Sequence, residues 1–201
     1  VIAGIRSKKP LQEANSRLGW YIVLATIPAG LGGLLLKSKV EAAFSSPVLT
    51  AVLLFVTAVI LTLAEIFSRK ERDLESVTPK DAIVIGLSQL LAIFPGISRS
   101  GATISGGLSR GLKREAAARF SFLMSIPIML AAGLLSVLDL LKIPDLGSFL
   151  PIILVGFIVA LVVGYLSIRW LLNFLKSRSL IPFAVYCAVV SVLTIFIAYF
   201  R

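Results

Sequence analysis

Charge-free apolar intervals recur along the chain at a length that fits a lipid bilayer. Residues 18–36 lie between Arg17 and Lys37, residues 42–64 between Glu41 and Glu65, and residues 120–138 between Arg119 and Asp139. Residues 146–168 lie between Asp145 and Arg169, and residues 179–200 between Arg178 and Arg201. Each runs about 19–23 residues, enough for a helix to cross roughly 30 Å of hydrocarbon. The pattern predicts five transmembrane helices, with Trp20, Tyr21, Trp170 and Tyr199 near their ends, where interfacial aromatics belong.

A sixth apolar interval, residues 82–98, breaks this pattern. It carries Ser88 and Gln89 and runs into Phe94-Pro95-Gly96-Ile97-Ser98-Arg99-Ser100-Gly101, a poor continuous helix. A short, glycine-containing piece, residues 102–112, follows. Two half-length helices joined by a Gly/Pro/Ser turn predict a re-entrant hairpin over residues 82–112. Such a hairpin is tolerated at membrane depth only where protein or a water-filled cavity satisfies its backbone.

Composition strengthens the membrane reading. Hydrophobic residues make up 58% of the 201 and charged residues 15%, against about 45–50% and 25% in soluble domains. That excludes a soluble enzyme, and no stretch between spans is long enough to fold separately. A net charge of +10 would suggest nucleic acid in a soluble protein. Here Lys and Arg belong to loops on one membrane face, so no nucleic-acid partner is expected. The lone Cys187, inside an apolar run, reads as packing, and the sequence contains no histidine.

The basic residues also test the hairpin. If residues 82–112 enter and return, 15 Lys and Arg collect on one side, in residues 1–17, 65–81, 109–119 and 169–178. Only Lys37, Lys39, Lys142 and Arg201 fall on the other. A full crossing would divide them 10 to 9, with no bias. The hairpin therefore places Arg6, Lys70, Arg114 and Lys176 in the cytoplasm, and leaves Arg99 at its tip, inside the membrane. An arginine at that depth usually faces an interior cavity and marks function.

Chemically, the turn reads as a phosphate site. Gly96 and Gly101 permit positive φ and close approach of the backbone to a ligand. A helix starting near Ala102 would point free N–H groups and its positive dipole end at the turn. Arg99 can grip a phosphate with two parallel hydrogen bonds, and the Ser98, Ser100 and Thr103 hydroxyls can donate to its oxygens. No Walker lysine or Gly-x-Gly-x-x-Gly is present, so nucleotide binding is not indicated. The anion is most simply a lipid headgroup, with a channel for a small anion as the competing idea. The same groups would serve binding or the stabilisation of charge in phosphoryl transfer.

Other positions read as structure. Glu65 is expected at the interface beside Arg69, the mixed-sign run from Arg69 to Glu75 as a solvated loop, and Arg110, Lys113 and Arg114 as interface cations. Asp139 and Asp145 border a short loop and receive no role. Pro28 with Gly30, Gly32 and Gly33, and Pro127 with Gly133, suggest kinks or close helix packing. The first five residues, Val-Ile-Ala-Gly-Ile, look like the last turn of a cut transmembrane helix, so the expectation is an N-terminally truncated chain.

The segment Pro95-Gly96-Ile97-Ser98-Arg99-Ser100-Gly101-Ala102-Thr103, preceded by Gly86-Leu87-Ser88-Gln89 and followed by Phe120-Ser121-Phe122-Leu123, closely resembles the second signature of the BacA/UppP family of undecaprenyl-diphosphatases. The resemblance covers essentially the whole chain. It implies an all-α polytopic membrane protein built as an inverted-repeat helical bundle. Residues 1–81 would be the remainder of the first repeat, without its hairpin, and residues 82–201 the complete second repeat.

The implied activity is removal of the terminal phosphate of undecaprenyl diphosphate in the bacterial inner membrane, which recycles the lipid carrier for peptidoglycan synthesis and confers bacitracin resistance. By resemblance, Arg99 grips the diphosphate, and Ser98, Ser100 and Thr103 are its phosphate-binding hydroxyls in the catalytic site. Gly96, Gly101, Ala102 and Gln89 line the substrate site. The resemblance also implies a divalent cation, Mg or Ca, and leaves room for a homodimer, although this chain shows no metal-ligand set. The family's first-hairpin glutamates, serine and histidine have no counterpart here, so the chain alone is expected to be inactive. A non-catalytic polyprenyl-phosphate binder or flippase is the alternative.

Overall fold

The computed structural model describes residues 14–142 and 146–200. Val1–Ile5, Arg6, Asp145 and Arg201, which carried expectations above, lie outside the described residues. Those that are described form an all-α bundle: α1 (Ala14–Leu35), α2 (Lys37–Phe44), α3 (Pro47–Phe67), α4 (Pro79–Leu91), α5 (Arg99–Ser109), α6 (Arg114–Leu140), α7 (Leu146–Ser177) and α8 (Ile181–Tyr199). Five of these, α1, α3, α6, α7 and α8, are long and apolar enough to cross a membrane. The chain is a multi-pass membrane protein.

The five long helices match the five apolar intervals, and all but α8 overrun them at one end or both. α6 begins at Arg114 rather than after Arg119, and α7 continues through Arg169 to Ser177. Charge marks where hydrocarbon ends, not where a helix ends, because Lys and Arg are good helix formers and their long stems reach to the interface. The short α2 was not expected from the pattern.

Small residues set the close contacts. A Cβ on Gly86 of α4 would stand 2.5 Å from the Ala25 carbonyl oxygen of α1, and one on Gly32 would overlap the Leu90 side chain. The α1–α4 crossing is therefore of the kind that small residues permit between membrane helices. Among the described residues nothing lies within 4 Å of a Cβ added at Gly30, Gly33 or Gly133, so none of them makes the close packing expected at those three positions. α3 runs along α8, where Ser191 Oγ donates 2.6 Å to the Ala51 carbonyl. The core gathers Ala25, Ile85, Leu108, Phe120 and Met124 around α4, α5 and α6. The large apolar side chains of α7 point outward from Phe149 to Trp170, an arrangement suited to lipid rather than water, while Leu175 near its end joins the core.

α4 and α5 form an antiparallel pair whose two outer ends meet. Asp81, in the first turn of α4, accepts from Arg110 Nε, just past α5, at 2.8 Å. Arg72 ties both together, donating to Asp81 Oδ2 at 2.7 Å and to the Arg110 carbonyl at 2.9 Å. The loop from Arg69 to Glu75 is therefore not simply solvated. It pairs with the α5–α6 loop through Glu71 and Arg72 N–H groups on the Gly111 carbonyl, and Lys113 binds Asp73 at 2.9 Å.

Asp81 is fully buried. Burial alone would raise its pKa, but hydrogen bonds from Arg72, Arg110 and the Thr78 N–H and hydroxyl outweigh that and hold it well below the usual carboxylate range. Thr78 and Asp81 also close a capping box, with Pro79 at the first helical position.

Candidate functional site

The segment joining α4 to α5 lies against the middle of α3. Thr57 stands ten residues from either end of that helix, about 15 Å at 1.5 Å per residue. Its hydroxyl donates to the Gly96 carbonyl at 3.1 Å and accepts from the Ser98 N–H at 3.1 Å. Gly96 has φ +93°, and a Cβ there would stand 2.1 Å from the Thr50 carbonyl oxygen. Only glycine combines that conformation with that approach.

Local chemistry then fixes how α5 starts. Ser98 is its N-cap, with Oγ accepting from the Gly101 N–H at 3.1 Å. The helix consequently begins at Arg99, three residues before the expected Ala102. Gly101 is helical rather than left-handed, because it is already inside the first turn. Its lack of a side chain still matters, since a Cβ would lie 3.0 Å from Ser98 Cβ and 3.3 Å from Thr57 Cγ2. The Ala102 N–H is taken by the Ser98 carbonyl at 2.8 Å. The donors left without a partner among the described residues are the N–H groups of Arg99 and Ser100, at the positive end of the helix dipole.

The expected site residues separate into three environments. Ser98, Ser100 and Gly101 line one cavity of about 210 Å³ with Ile104, Tyr186 and Cys187, and the two serine hydroxyls lie 3.4 Å apart. Arg99 beside them is half-buried and makes no ion pair among the described residues. Ala102 lines a separate cavity of about 460 Å³ between α3, α4 and α5, together with Ser88 and Ser105. Thr103 is fully buried: its hydroxyl donates 2.8 Å to the Arg99 carbonyl and lies 2.7 Å from Ser121 Oγ. It braces the turn from behind instead of facing the cavity with the serines. Gln89 is 2% exposed, and neither side-chain amide atom has a hydrogen-bond partner among the described residues.

Thr57, which bonds the turn, and Ser121, which bonds Thr103, carried no expectation from the sequence. A hydroxyl in an apolar span is common and usually bonds its own helix, as Thr62 does to the Ala58 carbonyl, so Thr57 carried no separate signal. Ser121 stood inside a quoted motif without a partner to reveal its role. Glu65 differs from expectation too. It is 7% exposed and is held by Arg114 through both carboxylate oxygens, by Lys70 at 3.2 Å and by the Leu180 N–H at 3.2 Å, not by Arg69. A carboxylate buried this far is costly unless cations neutralise it. Arg110, Lys113 and Arg114 are thus all engaged in ion pairs.

No cluster of three His, Cys, Asp or Glu exists among the described residues, and the buried carboxylates Glu65 and Asp81 are already saturated by cations. These residues do not fit the divalent cation that the resemblance implies.

The profile of the family described as bacitracin resistance protein BacA matches residues 1–193. Undecaprenyl-diphosphatase of Mycolicibacterium smegmatis is 42% identical over 186 residues, covering 92% of this chain and 67% of that protein. Undecaprenyl-diphosphatase of Methanobrevibacter smithii is 46% identical over 182 residues, 90% and 65% of the two chains. That of Corynebacterium striatum is 45% identical over 186 residues, 92% and 66%. The chain spans about two thirds of the length of these relatives. A profile match that runs through the membrane helices and the Arg99 turn alike, together with these identities, means that the chain belongs to the BacA family.

Proposed function

We propose that this chain carries the phosphate-gripping part of a membrane enzyme that hydrolyses undecaprenyl diphosphate to undecaprenyl phosphate. The observation that carries the reading is the contact of the Gly96–Ser98 turn with Thr57, midway along a helix of membrane-spanning length. In this reading α4 and α5 enter the bilayer together and return, with the basic end of the bundle cytoplasmic, and the turn meets a lipid diphosphate at depth. Residues 82–201 then correspond to one repeat of an inverted pair, and residues 1–81 to part of the other.

The residues divide the work. Arg99 binds two phosphate oxygens with its guanidinium fork, and Ser98 and Ser100 donate hydroxyl protons to the remaining oxygens. The unpartnered N–H groups of Arg99 and Ser100 add the helix N-terminal field. Together these hold the terminal phosphate and stabilise charge as it shifts in phosphoryl transfer. Thr103, Ser121 and Thr57 position the turn. The paired state of Glu65 and Asp81 leaves neither as a base, and the 201 residues contain no histidine. Binding of the lipid diphosphate is therefore expected of this chain, and little hydrolysis by it alone. The relatives' names favour hydrolysis over the binding or flippase alternative.

The test measures phosphate release from undecaprenyl diphosphate in detergent by the protein expressed from its whole gene, with Arg99→Ala beside it. Loss of one charged transition-state contact costs about 100-fold or more in rate. Equal rates for the two proteins would overturn the assignment of Arg99.

A further inference from the structure

A second cluster of basic residues lies away from the Arg99 turn. Where α6 and α7 meet at the basic end of the bundle, a cavity of about 730 Å³ is lined by Arg119, Arg169 and Lys176, with Glu115, Asn173 and Trp170. It shares no lining residue with either cavity beside α5, and its size falls within the roughly 300–1,000 Å³ of small-molecule sites.

Its charges do not cancel. Glu115 forms ion pairs with Arg119 at 2.7 Å and with Lys176 at 3.8 Å, so one carboxylate faces three cations. Arg169 has no ion pair among the described residues. The depth is set by the sequence: Arg119 is the last charge before the apolar run 120–138, and Arg169 is the first after the run 146–168. Both therefore stand where hydrocarbon gives way to headgroups. Trp170, exposed and stacked on Phe174 with ring centroids 5.4 Å apart, is the amphipathic residue expected at that level.

We propose that this cavity binds the phosphate headgroup of an anionic phospholipid. Arg169 and Arg119 hold phosphate oxygens, Lys176 adds a point charge, and the Asn173 amide serves the glycerol or headgroup oxygens, while acyl chains run along the apolar surface of α6 and α7. A basic pocket between membrane helices at the headgroup level matches the general chemistry of such lipid sites. The source of the phosphate is a membrane lipid rather than free phosphate, because the cavity lies at the headgroup level and is continuous with the lipid-facing surface of α7.

The experiment follows Trp170 fluorescence in a Trp20→Phe background, which leaves a single tryptophan. The purified full chain in neutral detergent is titrated with short-chain phosphatidylglycerol, short-chain phosphatidylcholine or inorganic phosphate. Saturable change with phosphatidylglycerol alone is expected. Arg169→Gln combined with Lys176→Gln should weaken it about thirtyfold, from the usual worth of two basic residues near a lipid surface. The charge-preserving pair Arg169→Lys and Lys176→Arg should retain binding, which separates lost charge from lost folding. An equal response to phosphatidylcholine, saturation by inorganic phosphate, or unchanged affinity in the neutral pair would each overturn the proposal. None of these readouts depends on hydrolysis, so the site at Arg99 can fail independently.

Discussion

The Thr57 hydroxyl joins the midpoint of α3 to the Gly96 carbonyl, and the same oxygen accepts from the Ser98 N–H. One side chain thus satisfies two backbone groups of an irregular turn that has few other partners. Replacing it with valine keeps the shape and orphans both groups, at a cost of about 1–3 kcal/mol for each buried group left unpaired. In the protein expressed from its whole gene, Thr57→Val should lower phosphate release by at least tenfold while the protein still inserts, and Thr57→Ser should restore most of the rate. A valine variant with undiminished turnover would show that the turn holds without α3.

Gly96 and Gly133 should respond oppositely to alanine. At Gly96 the added methyl meets the Thr50 carbonyl at 2.1 Å in a left-handed backbone, so turn and helix must part. Destabilisation of about 1–3 kcal/mol or more is expected. At Gly133, inside α6 with nothing within 4 Å, alanine should stabilise the helix by up to about 1 kcal/mol. Thermal unfolding in detergent, monitored by helical circular dichroism, distinguishes the two. A Gly133→Ala protein that melts lower would place something against α6 at that point.

How far the sequence reveals this architecture depends on whether the signal is local. Spans were readable because each carries its own apolar run, and the helix pair because Pro95, Gly96 and Ser98 break a run too short to cross. The charge bias even predicted that Asp81 and Arg110 lie at one end. Thr57, Ser121 and Glu65 were opaque because each depends on at least one partner 18 to 115 residues away. The partners of Thr103 were hidden for the opposite reason: a motif names its residues without saying which way each one faces around a helix.

Asp81 makes stability depend on acid in a defined direction. Its folded pKa is depressed, so its contribution is present at neutral pH, above the unfolded carboxylate value near 3.8. It is lost as pH falls through the lower folded value. The bundle should therefore show no Asp81-linked weakening between pH 7 and about 4, and weaken below that. Asp81→Asn should cost about 3 kcal/mol at neutral pH, the low end for a broken buried pair, because both arginines still reach water. It should also flatten the acid limb. Melting temperature against pH for both proteins checks this, and an unchanged acid limb would remove Asp81 from the account.

Thr103 and Ser121 should behave as a coupled pair. Their hydroxyls lie 2.7 Å apart in the core, and Thr103 also donates to the Arg99 carbonyl, so Thr103→Val alone leaves Ser121 with a buried unpaired oxygen. Each single variant, Thr103→Val or Ser121→Ala, should cost about 1–3 kcal/mol. The double variant should cost less than the sum, with an interaction energy of about 0.5–3 kcal/mol. Kinetics separate bracing from direct contact. A hydroxyl that touched the substrate phosphate would raise KM or lower kcat whatever its neighbour, and the Ser121→Ala background would leave that loss intact. A bracing hydroxyl should lose most of its kinetic effect once Ser121 is gone, because the contact it maintained no longer exists. Additive losses in kcat across the cycle would return Thr103 to the phosphate and remove Ser121 from the site.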